Sequence, residues 1–188
     1  MGRVVRQDSR ELVRQSDELE RQERLPLHSE VLQHLECEIH QFSLLTLQSR
    51  FAPLLRKRAS LSDPSRVVVT ASVAGIGIGS LGENATFAYS ASKAAALHIT
   101  RNLAVELAPQ GILCNAIAPG FFPTKMANGL MELSGGTQQL AEATPNKRLG
   151  TPEDIAAAVV YLCSRAGGHI TGGHVVLDGG NVLARGKL

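Results

Sequence analysis

The spacing of apolar residues predicts an amphipathic helix followed by three strands. Residues 29–58 carry apolar side chains at steps of three and four, the period of a helix with one buried face. Val67 to Ser72 is a short apolar run without alternation, which is typical of a strand covered on both faces. Ile112 to Ala118 and His174 to Leu177 have the same character. We therefore expect three buried strands in the second half of the chain.

Two helices are predicted between these strands. Tyr89 to Leu107 is rich in alanine and leucine, and Pro109 with Gly111 ends it. The stretch 151–154 reads Thr-Pro-Glu-Asp, a helix start with proline in the first turn and acids near the positive end of the dipole. Residues 121–147 have weak helical character and contain several glycines, so we interpret them as a mobile cover and not as a core element. Alternating strands and helices predict an α/β fold with a parallel sheet and right-handed crossovers.

The beginning of the chain has a different composition. Residues 1–28 interleave arginines with aspartates and glutamates, and their apolar residues are too few for a stripe. We interpret them as a charged, poorly ordered extension that Pro26 separates from the rest of the chain. The folded domain is expected to span residues 29–188.

Composition and charge narrow the classes of function. The net charge of +2 and the absence of tryptophan give no support for nucleic-acid binding. No apolar run approaches the roughly 20 residues that cross a bilayer, so no membrane association is expected. Cys37, Cys114 and Cys163 are far apart and form no C-x-x-C pair, which favours reduced thiols and a cytoplasmic protein without a metal site.

Several single residues are expected to have structural roles. Cys114 and Cys163 are interpreted as small core residues. Asn115 is expected to form buried hydrogen bonds between a strand and a helix, and Asp178 to hold a turn or an interface near the C-terminus. The histidines lack the spacing of metal ligands and are expected at the surface: His98, His169 and His174.

One cluster of polar residues suggests acid–base chemistry. Tyr89 and Lys93 lie four residues apart in the predicted helix and so share a face. A phenol with an ordinary pKa near 10 is a poor base at neutral pH, but an ammonium one turn away stabilises the phenolate. Ser72 ends a predicted parallel strand, where catalytic groups of α/β folds concentrate. Tyrosine and lysine also fall four apart by chance in many chains, so a pair of this kind on its own is more often a surface contact.

Five stretches together resemble the short-chain dehydrogenase/reductase family. In chain order they are S-V-A-G, Y-S-A-S-K, N-A-I-A-P-G-F-F-P-T-K-M, R-L-G-T-P-E-D-I-A and I-T-G-G-H-V-V-L-D-G-G. The N-A-I-A-P-G block and the final D-G-G look like those of 3-oxoacyl-carrier-protein reductases. The resemblance implies a partial Rossmann-like, doubly wound parallel sheet, of which this chain supplies the last three strands.

The resemblance also implies a reaction and a site. Ser72, Tyr89 and Lys93 match the family's catalytic serine, tyrosine and lysine, which interconvert a small-molecule carbonyl and alcohol by hydride transfer. The implied cofactor is NADP or NAD, with NADP favoured. Tyr89 and Lys93 would contact the cofactor as well, together with Pro119, Gly120 and Thr124. The family's helix that begins near the tyrosine pairs subunits, which implies a homodimer or homotetramer.

Other features depart from the family. Residues 1–60 contain no T-G-x-x-x-G-x-G turn, the N-N-A-G block is missing, and the loop after Ser72 is longer by an apparent insertion at 78–84. We therefore expect the N-terminal half of the fold to be missing, cofactor binding to be impaired, and the strand from Val67 to have an open, apolar edge. The alternative interpretation is a truncated, inactive relative that acts as an association module, or a gene model with a wrong first exon.

Overall fold

The structure is a computed structural model that describes residues 50–79, 81, 85–124, 131 and 135–184. The strands in this part are β1 (Ser65–Thr70), β2 (Ile112–Pro119) and β3 (His174–Leu177). The helices are α1 (Phe87–Leu107), α2 (Gly136–Ala143), α3 (Pro152–Cys163) and the short α4 (Asn181–Ala184). Residues 50–56 are helical, in agreement with the end of the predicted helix over 29–58. The predicted extension over residues 1–28 lies outside the described residues.

The three strands form the parallel sheet that the alternating pattern predicts. Their order is β1-β2-β3, with Ser65 opposite Ile112 and Ile117 opposite Val175. The amide of Ser65 donates to the carbonyl of Gly111, just before β2, at 2.9 Å, and the amide of Ala71 donates to the carbonyl of Ile117 in β2 at 2.8 Å. The backbone amides of the odd-numbered residues therefore point toward β2. The even-numbered residues turn their backbone groups to the other side. Within the described residues, β1 is therefore an edge strand.

Helices cover both faces of the sheet, which explains why β2 is apolar without alternation. Side chains one residue apart along a strand point to opposite faces. On the α1 side, the buried residues are Leu103, Ala104, Leu107, Ile112 and Cys114, next to a second group of Val69, Ala71, Ala96, Leu97 and Ala116. On the other side, Ile117 packs against Ala158 and Leu162 of α3. The sheet is thus the middle layer of three.

Asn115 is buried and hydrogen-bonded as expected, but its partners lie in the turn before β3 and not in a helix. Its side chain is buried in β2, where the Nδ2 group donates to the carbonyl of Ile170 at 2.7 Å. The Oδ1 atom accepts from the amide of Gly173 at 3.1 Å. Both halves of the amide are therefore used, and they tie β2 to the turn that leads into β3.

The two cysteines that the structure describes differ in burial. Cys114 is buried in β2, as predicted, and burial raises the pKa of its thiol to about 11. The expectation that Cys163 lies in the core is wrong, because its side chain is exposed. Leu162 occupies the buried face of α3, and the next residue is rotated by about 100° away from it.

The remaining surface features can be stated for the described residues alone. His98, His169 and His174 are exposed. No cluster of histidine, cysteine, aspartate or glutamate within this part is arranged to hold a metal ion. None of the helices in it combines the length and the apolar character needed to cross a lipid bilayer.

Several element boundaries differ from the prediction by one or two residues. β1 begins at Ser65 and ends at Thr70, so Ser72 lies beyond the strand and caps a turn of 3-10 helix. The helix predicted from Tyr89 begins at Phe87. Within the predicted cover over 121–147, the structure describes the helix α2, and the expectation that this stretch lies outside the core is wrong because Met131 and Leu140 are buried.

The start of α3 is held by a network around Asp154. Arg148 donates to both of its carboxylate oxygens, at 2.6 and 2.9 Å, and the amide of Thr151 donates to Oδ2 at 2.8 Å. The hydrogen bond from Arg148, and next the one from the Thr151 backbone, hold the pKa of Asp154 well below its usual range. The carboxylate thus joins the 148–151 loop to the helix start.

We expect Asp154→Asn to lower the thermal unfolding midpoint at pH 7 but not in strong acid. The pKa of Asp154 is lower in the folded chain than the value of about 3.9 expected when unfolded. Its contribution to the free energy of unfolding is therefore present above about pH 4 and is lost as the pH falls through the folded pKa. Midpoints of both variants measured from pH 7 down to the acid limit of folding should converge. Asp63→Asn, in the exposed turn before β1, is the control, and a midpoint difference that does not change with pH would contradict the prediction.

Candidate active site

Ser72 lies in the loop that follows β1, against the end of β2. Its side chain is buried, and its Oγ atom accepts a hydrogen bond from the amide of Ala74 at 3.2 Å. The same hydroxyl donates to the carbonyl of Pro119 across 3.5 Å, a long hydrogen bond. The weak donor contact leaves the hydroxyl proton available to a better acceptor. Ser72 and Pro119, which the sequence placed in two separate motifs, are neighbours in the fold.

Gly75 brings this loop onto the helix that carries the other two catalytic candidates. A methyl group on Gly75 would lie 2.5 Å from the carbonyl carbon of Lys93 and 2.6 Å from the amide nitrogen of Ala94. Such distances are too short for any side chain, so only glycine permits the 3-10 turn to rest on the backbone of α1. The loop of Ser72 is thereby placed beside Lys93.

Tyr89 and Lys93 share a face of α1, as the spacing predicted. The Nζ atom of Lys93 lies 5.5 Å from the centre of the Tyr89 ring, a cation–π distance. The same Nζ atom donates to the carbonyl of Thr70, at the end of β1, at 3.3 Å. Lys93 is half-buried, and this desolvation lowers the pKa of its ammonium. The Tyr89 side chain is 42% exposed, so a ligand can approach its ring from solvent.

The predicted cofactor loop begins where β2 ends. The amide of Gly120 donates to the carbonyl of Leu177 at 2.9 Å, which joins the loop to the end of β3. A methyl group on Gly120 would lie 2.7 Å from the Cβ atom of Asp178, so the two backbones are in close contact. Thr124 is exposed at the end of the same described stretch. Pro119 and Gly120 therefore lie at the carboxyl edge of the sheet, where ligands of open α/β sheets bind.

A small cavity of about 190 Å³ lies on the β3 side of this loop. Phe121, Phe122, Arg148, Asp154 and Asp178 are among the residues that line it. Ser72, Tyr89 and Lys93 do not line it. Its volume is below the roughly 300–1,000 Å³ of pockets that hold small molecules. The candidate site is therefore the polar cluster of Ser72, Tyr89 and Lys93, and not this cavity.

The sequence did not identify the glycines that bring the site together. In the sequence, the close spacing of Gly75, Gly77 and Gly79 indicates only a loop. A methyl group on Gly77 would lie 2.7 Å from Val182, and one on Gly79 would overlap the Ser90 hydroxyl. Each glycine of the loop thus rests on a different part of the chain. The signal available in the sequence was their close spacing, but their partners are tertiary contacts.

Comparison with known proteins gives consistent matches. A family model described as enoyl-(acyl carrier protein) reductase matches residues 30–181. The rhamnolipids biosynthesis 3-oxoacyl-[acyl-carrier-protein] reductase of Pseudomonas aeruginosa is 37% identical over 143 residues, which are 76% of this chain and 55% of that protein. The chain therefore spans about half the length of this relative.

Solved structures match over a similar share of the chain. The Pseudomonas aeruginosa RhlG/NADP active-site complex is 36% identical, with a TM-score of 0.68 over 77% of this chain and 57% of that one. A short chain dehydrogenase from Leptospira borgpetersenii with bound NAD+ is 26% identical, with a TM-score of 0.63 over 77% of this chain and 54% of that one. The parallel sheet and its helices are thus similar to part of a larger Rossmann fold.

Proposed function

This chain belongs to the short-chain dehydrogenase/reductase family, and from that premise we propose that it is an NAD(P)-dependent oxidoreductase. The proposed reaction interconverts a carbonyl and an alcohol on a small molecule. The observation that carries the proposal is the pairing of Tyr89 with Lys93 on α1, at a sheet edge that Ser72 also reaches. The family's oxidoreductases act through a hydroxyl, a phenol and an ammonium in this order along the chain.

The described residues fit the nicotinamide end of such a cofactor. A half-buried ammonium, an exposed phenol and a buried hydroxyl are the donor set that a ribose and a substrate oxygen require. Lys93 and Tyr89 would hold the ribose, and Pro119, Gly120 and Thr124 would lie along the nicotinamide and phosphate side. Relatives solved with NADP and with NAD+ support this class of cofactor, and we favour NADP.

In the reductive direction, the chain's residues transfer one proton to the substrate oxygen. A nicotinamide held by Lys93 and Tyr89 would supply the hydride, with its electron pair, that reduces the carbonyl carbon. Tyr89 donates its phenolic proton to the carbonyl oxygen, which becomes the alcohol hydroxyl. Ser72 donates a hydrogen bond to that oxygen in place of its long bond to Pro119. Lys93 stabilises the phenolate that remains on Tyr89.

Lys93 is able to serve two acceptors at once. An ammonium has three donor hydrogens, so it can donate to the carbonyl of Thr70 and to a ribose hydroxyl at the same time. The bond to Thr70 also orients the ammonium at the open side of β1. Oxidation of an alcohol would use the same residues in reverse, with the Tyr89 phenolate taking the hydroxyl proton.

The substrate and the assembly belong to the same proposal. The similarity to a 3-oxoacyl-[acyl-carrier-protein] reductase favours a 3-oxoacyl thioester or a related small carbonyl compound. Exposed apolar residues on α1, Phe87 and Val105, favour pairing of this helix with a second copy in a homodimer or homotetramer. The spacing of the cysteines favours a reducing, cytoplasmic location.

Titration with NADPH and with NADH tests the proposal on the 188-residue chain. We expect saturable enhancement of nicotinamide fluorescence, with a dissociation constant in the range of about 1 μM to 1 mM. Lys93→Gln should weaken the binding roughly 10- to 100-fold, because a charged hydrogen bond contributes about 1.5–3 kcal/mol. Lys57→Gln, at an exposed position after the helical residues 50–56, is the matched control and should bind as the unmodified chain does.

Absence of saturable binding to either nucleotide would overturn the proposal for this polypeptide. The association-module alternative would then be preferred, since the exposed apolar side chains of α1 require no cofactor to pair. Sedimentation of the same preparation would show whether the chain associates.

A further inference from the structure

We infer that the C-terminal turn over residues 178–184 is a positioning element that holds the loops of Ser72 and Pro119 in place relative to each other. The inference rests on the proposed function for its catalytic meaning. Asp178 and Val182 are its two contact residues. They act through Ser72 and Pro119 and do not touch the reacting atoms themselves.

Asp178 gives the turn its shape. Its Oδ1 atom accepts from the amide of Gly180 at 2.8 Å, and its Oδ2 atom accepts from the amide of Val182 at 2.6 Å. Both carboxylate oxygens are thus used by the backbone that begins α4. An asparagine at this position can accept only one of the two hydrogen bonds, because its amide nitrogen is a donor.

The turn is in direct contact with the loop that follows β2. The Cβ and Cα atoms of Asp178 would be 2.7 and 3.1 Å from a methyl group on Gly120, so the glycine lies flat against this residue. The hydrogen bond from the Gly120 amide to Leu177 holds the contact in place. A displacement of Asp178 therefore moves Gly120, and with it the carbonyl of Pro119 that faces the Ser72 hydroxyl.

The same turn contacts the loop of Ser72 from α4. The Cγ2 atom of Val182 would lie 2.7 Å from a methyl group on Gly77. Gly77 is tied to the 3-10 turn that Ser72 caps, because its amide donates to the carbonyl of Val73 at 2.9 Å. The side chain of Val182 thus limits how far the Ser72 loop can move toward α4.

A third contact anchors the turn itself. The amide of Asn146 donates to the carbonyl of Gly179 at 3.3 Å, and Pro145 lies 3.3 Å from where a methyl group on Gly180 would be. Gly179 and Gly180 have φ angles of +61° and +90°, which glycine adopts without strain. The turn is therefore fixed to the 145–146 segment while it touches both loops of the site. This arrangement lets it set the distance between them.

A compensating pair of substitutions tests the contact with the Ser72 loop. Gly77→Ala should push the loop away from Val182 and lower kcat by about 10- to 100-fold, as small misplacements of reacting groups do. Adding Val182→Ala removes the Cγ2 atom that the new methyl group would meet and should restore most of kcat. The next nearest atom to that methyl group is the carbonyl oxygen of Val73 at 3.9 Å, an ordinary contact. Val182→Ala alone is the reference for the cycle. If Gly77→Ala lowered kcat only by destabilising the whole fold, a second substitution that removes further side-chain atoms would not restore it.

Amide hydrogen exchange on the same full-length proteins provides a measurement independent of activity. Gly77→Ala should speed exchange at the amides of Gly75 to Gly77, and the double variant should slow it again. Asp178→Asn should speed exchange at Gly120 and lower kcat, whereas Asp63→Asn should do neither. A chain that shows these exchange changes but reduces no carbonyl supports the positioning element and overturns the proposed function.

The inference is overturned if the double variant exchanges as fast as Gly77→Ala, or if Asp178→Asn leaves Gly120 as protected as before. A double variant whose exchange recovers while its kcat stays as low as that of Gly77→Ala would also overturn it, since the position of the loop would then not set the rate.

Discussion

Tyr89→Phe is expected to lower the rate of carbonyl reduction by about 10²–10⁴-fold, the contribution of a positioned proton donor. The substitution removes only the phenolic hydroxyl and leaves the ring that lies beside the Lys93 ammonium. Because the side chain is partly open to solvent, no deeply buried group loses its partner. We therefore expect the unfolding midpoint to change little, and the dissociation constant of the cofactor to rise no more than about tenfold, the loss of one neutral hydrogen bond to the ribose.

Tyr161→Phe is the matched control for this experiment. It is the chain's other tyrosine, and its exposure of 47% is close to the 42% of Tyr89. It lies on α3, on the opposite side of the sheet from α1. Steady-state rates followed by nicotinamide absorbance, with cofactor binding measured in parallel, separate chemistry from binding. A Tyr89→Phe variant that keeps most of its rate would show that another group donates the proton.

The sheet could be predicted because burial leaves a simple signal in the sequence. β2 is covered by α1 on one face and by α3 on the other, so its apolar residues follow one another without alternation. The parallel pairing followed from the helices between the strands. The same reasoning does not locate the end of β1, because small residues such as Ala71 and Ser72 are compatible with a strand and with the turn that Ser72 caps.

The error at Cys163 has a related cause. A small apolar residue near the end of a helix is typical of the core, but its burial depends on which face of the helix it occupies. Leu162 lies on the buried face of α3, and Cys163, about 100° further around the helix, lies on the exposed face. The buried hydrogen bonds of Asn115 were easier to predict, because an amide inside an apolar strand must find hydrogen-bond partners.

The candidate site shows the same limit. The spacing of Tyr89 and Lys93 is a local property of a helix, and the structure has the contact that it implies. The contact of Gly75 with the α1 backbone joins segments almost twenty residues apart, and the bond from Lys93 to Thr70 depends on where the helix crosses β1. Such contacts follow from the packed fold and not from a local pattern. The catalytic roles themselves stay a prediction until the variants are measured.

Gly75→Ala is expected to destabilise the fold by about 1–3 kcal/mol, the usual cost of an added methyl group in a packed region. Its methyl group would meet the carbonyl carbon, the carbonyl oxygen and the following amide nitrogen of α1 at 2.5–2.7 Å. These are backbone atoms of Lys93 and Ala94, which cannot turn aside as a side chain can. The Ser72 loop or the helix must therefore shift, and the distance between Ser72 and Tyr89 changes with it.

Gly173→Ala is the control, because it adds the same methyl group where the nearest atoms are 3.6 Å away, an ordinary contact. It should leave the free energy of unfolding nearly unchanged or raise it slightly, since alanine restricts the unfolded chain more than glycine does. Urea unfolding followed by circular dichroism measures both variants. Equal stability of the two would mean that the loop of Ser72 does not rest on α1. Because Tyr89→Phe should reduce the rate at unchanged stability while Gly75→Ala reduces both, the pair distinguishes loss of the proton donor from loss of the scaffold that positions it.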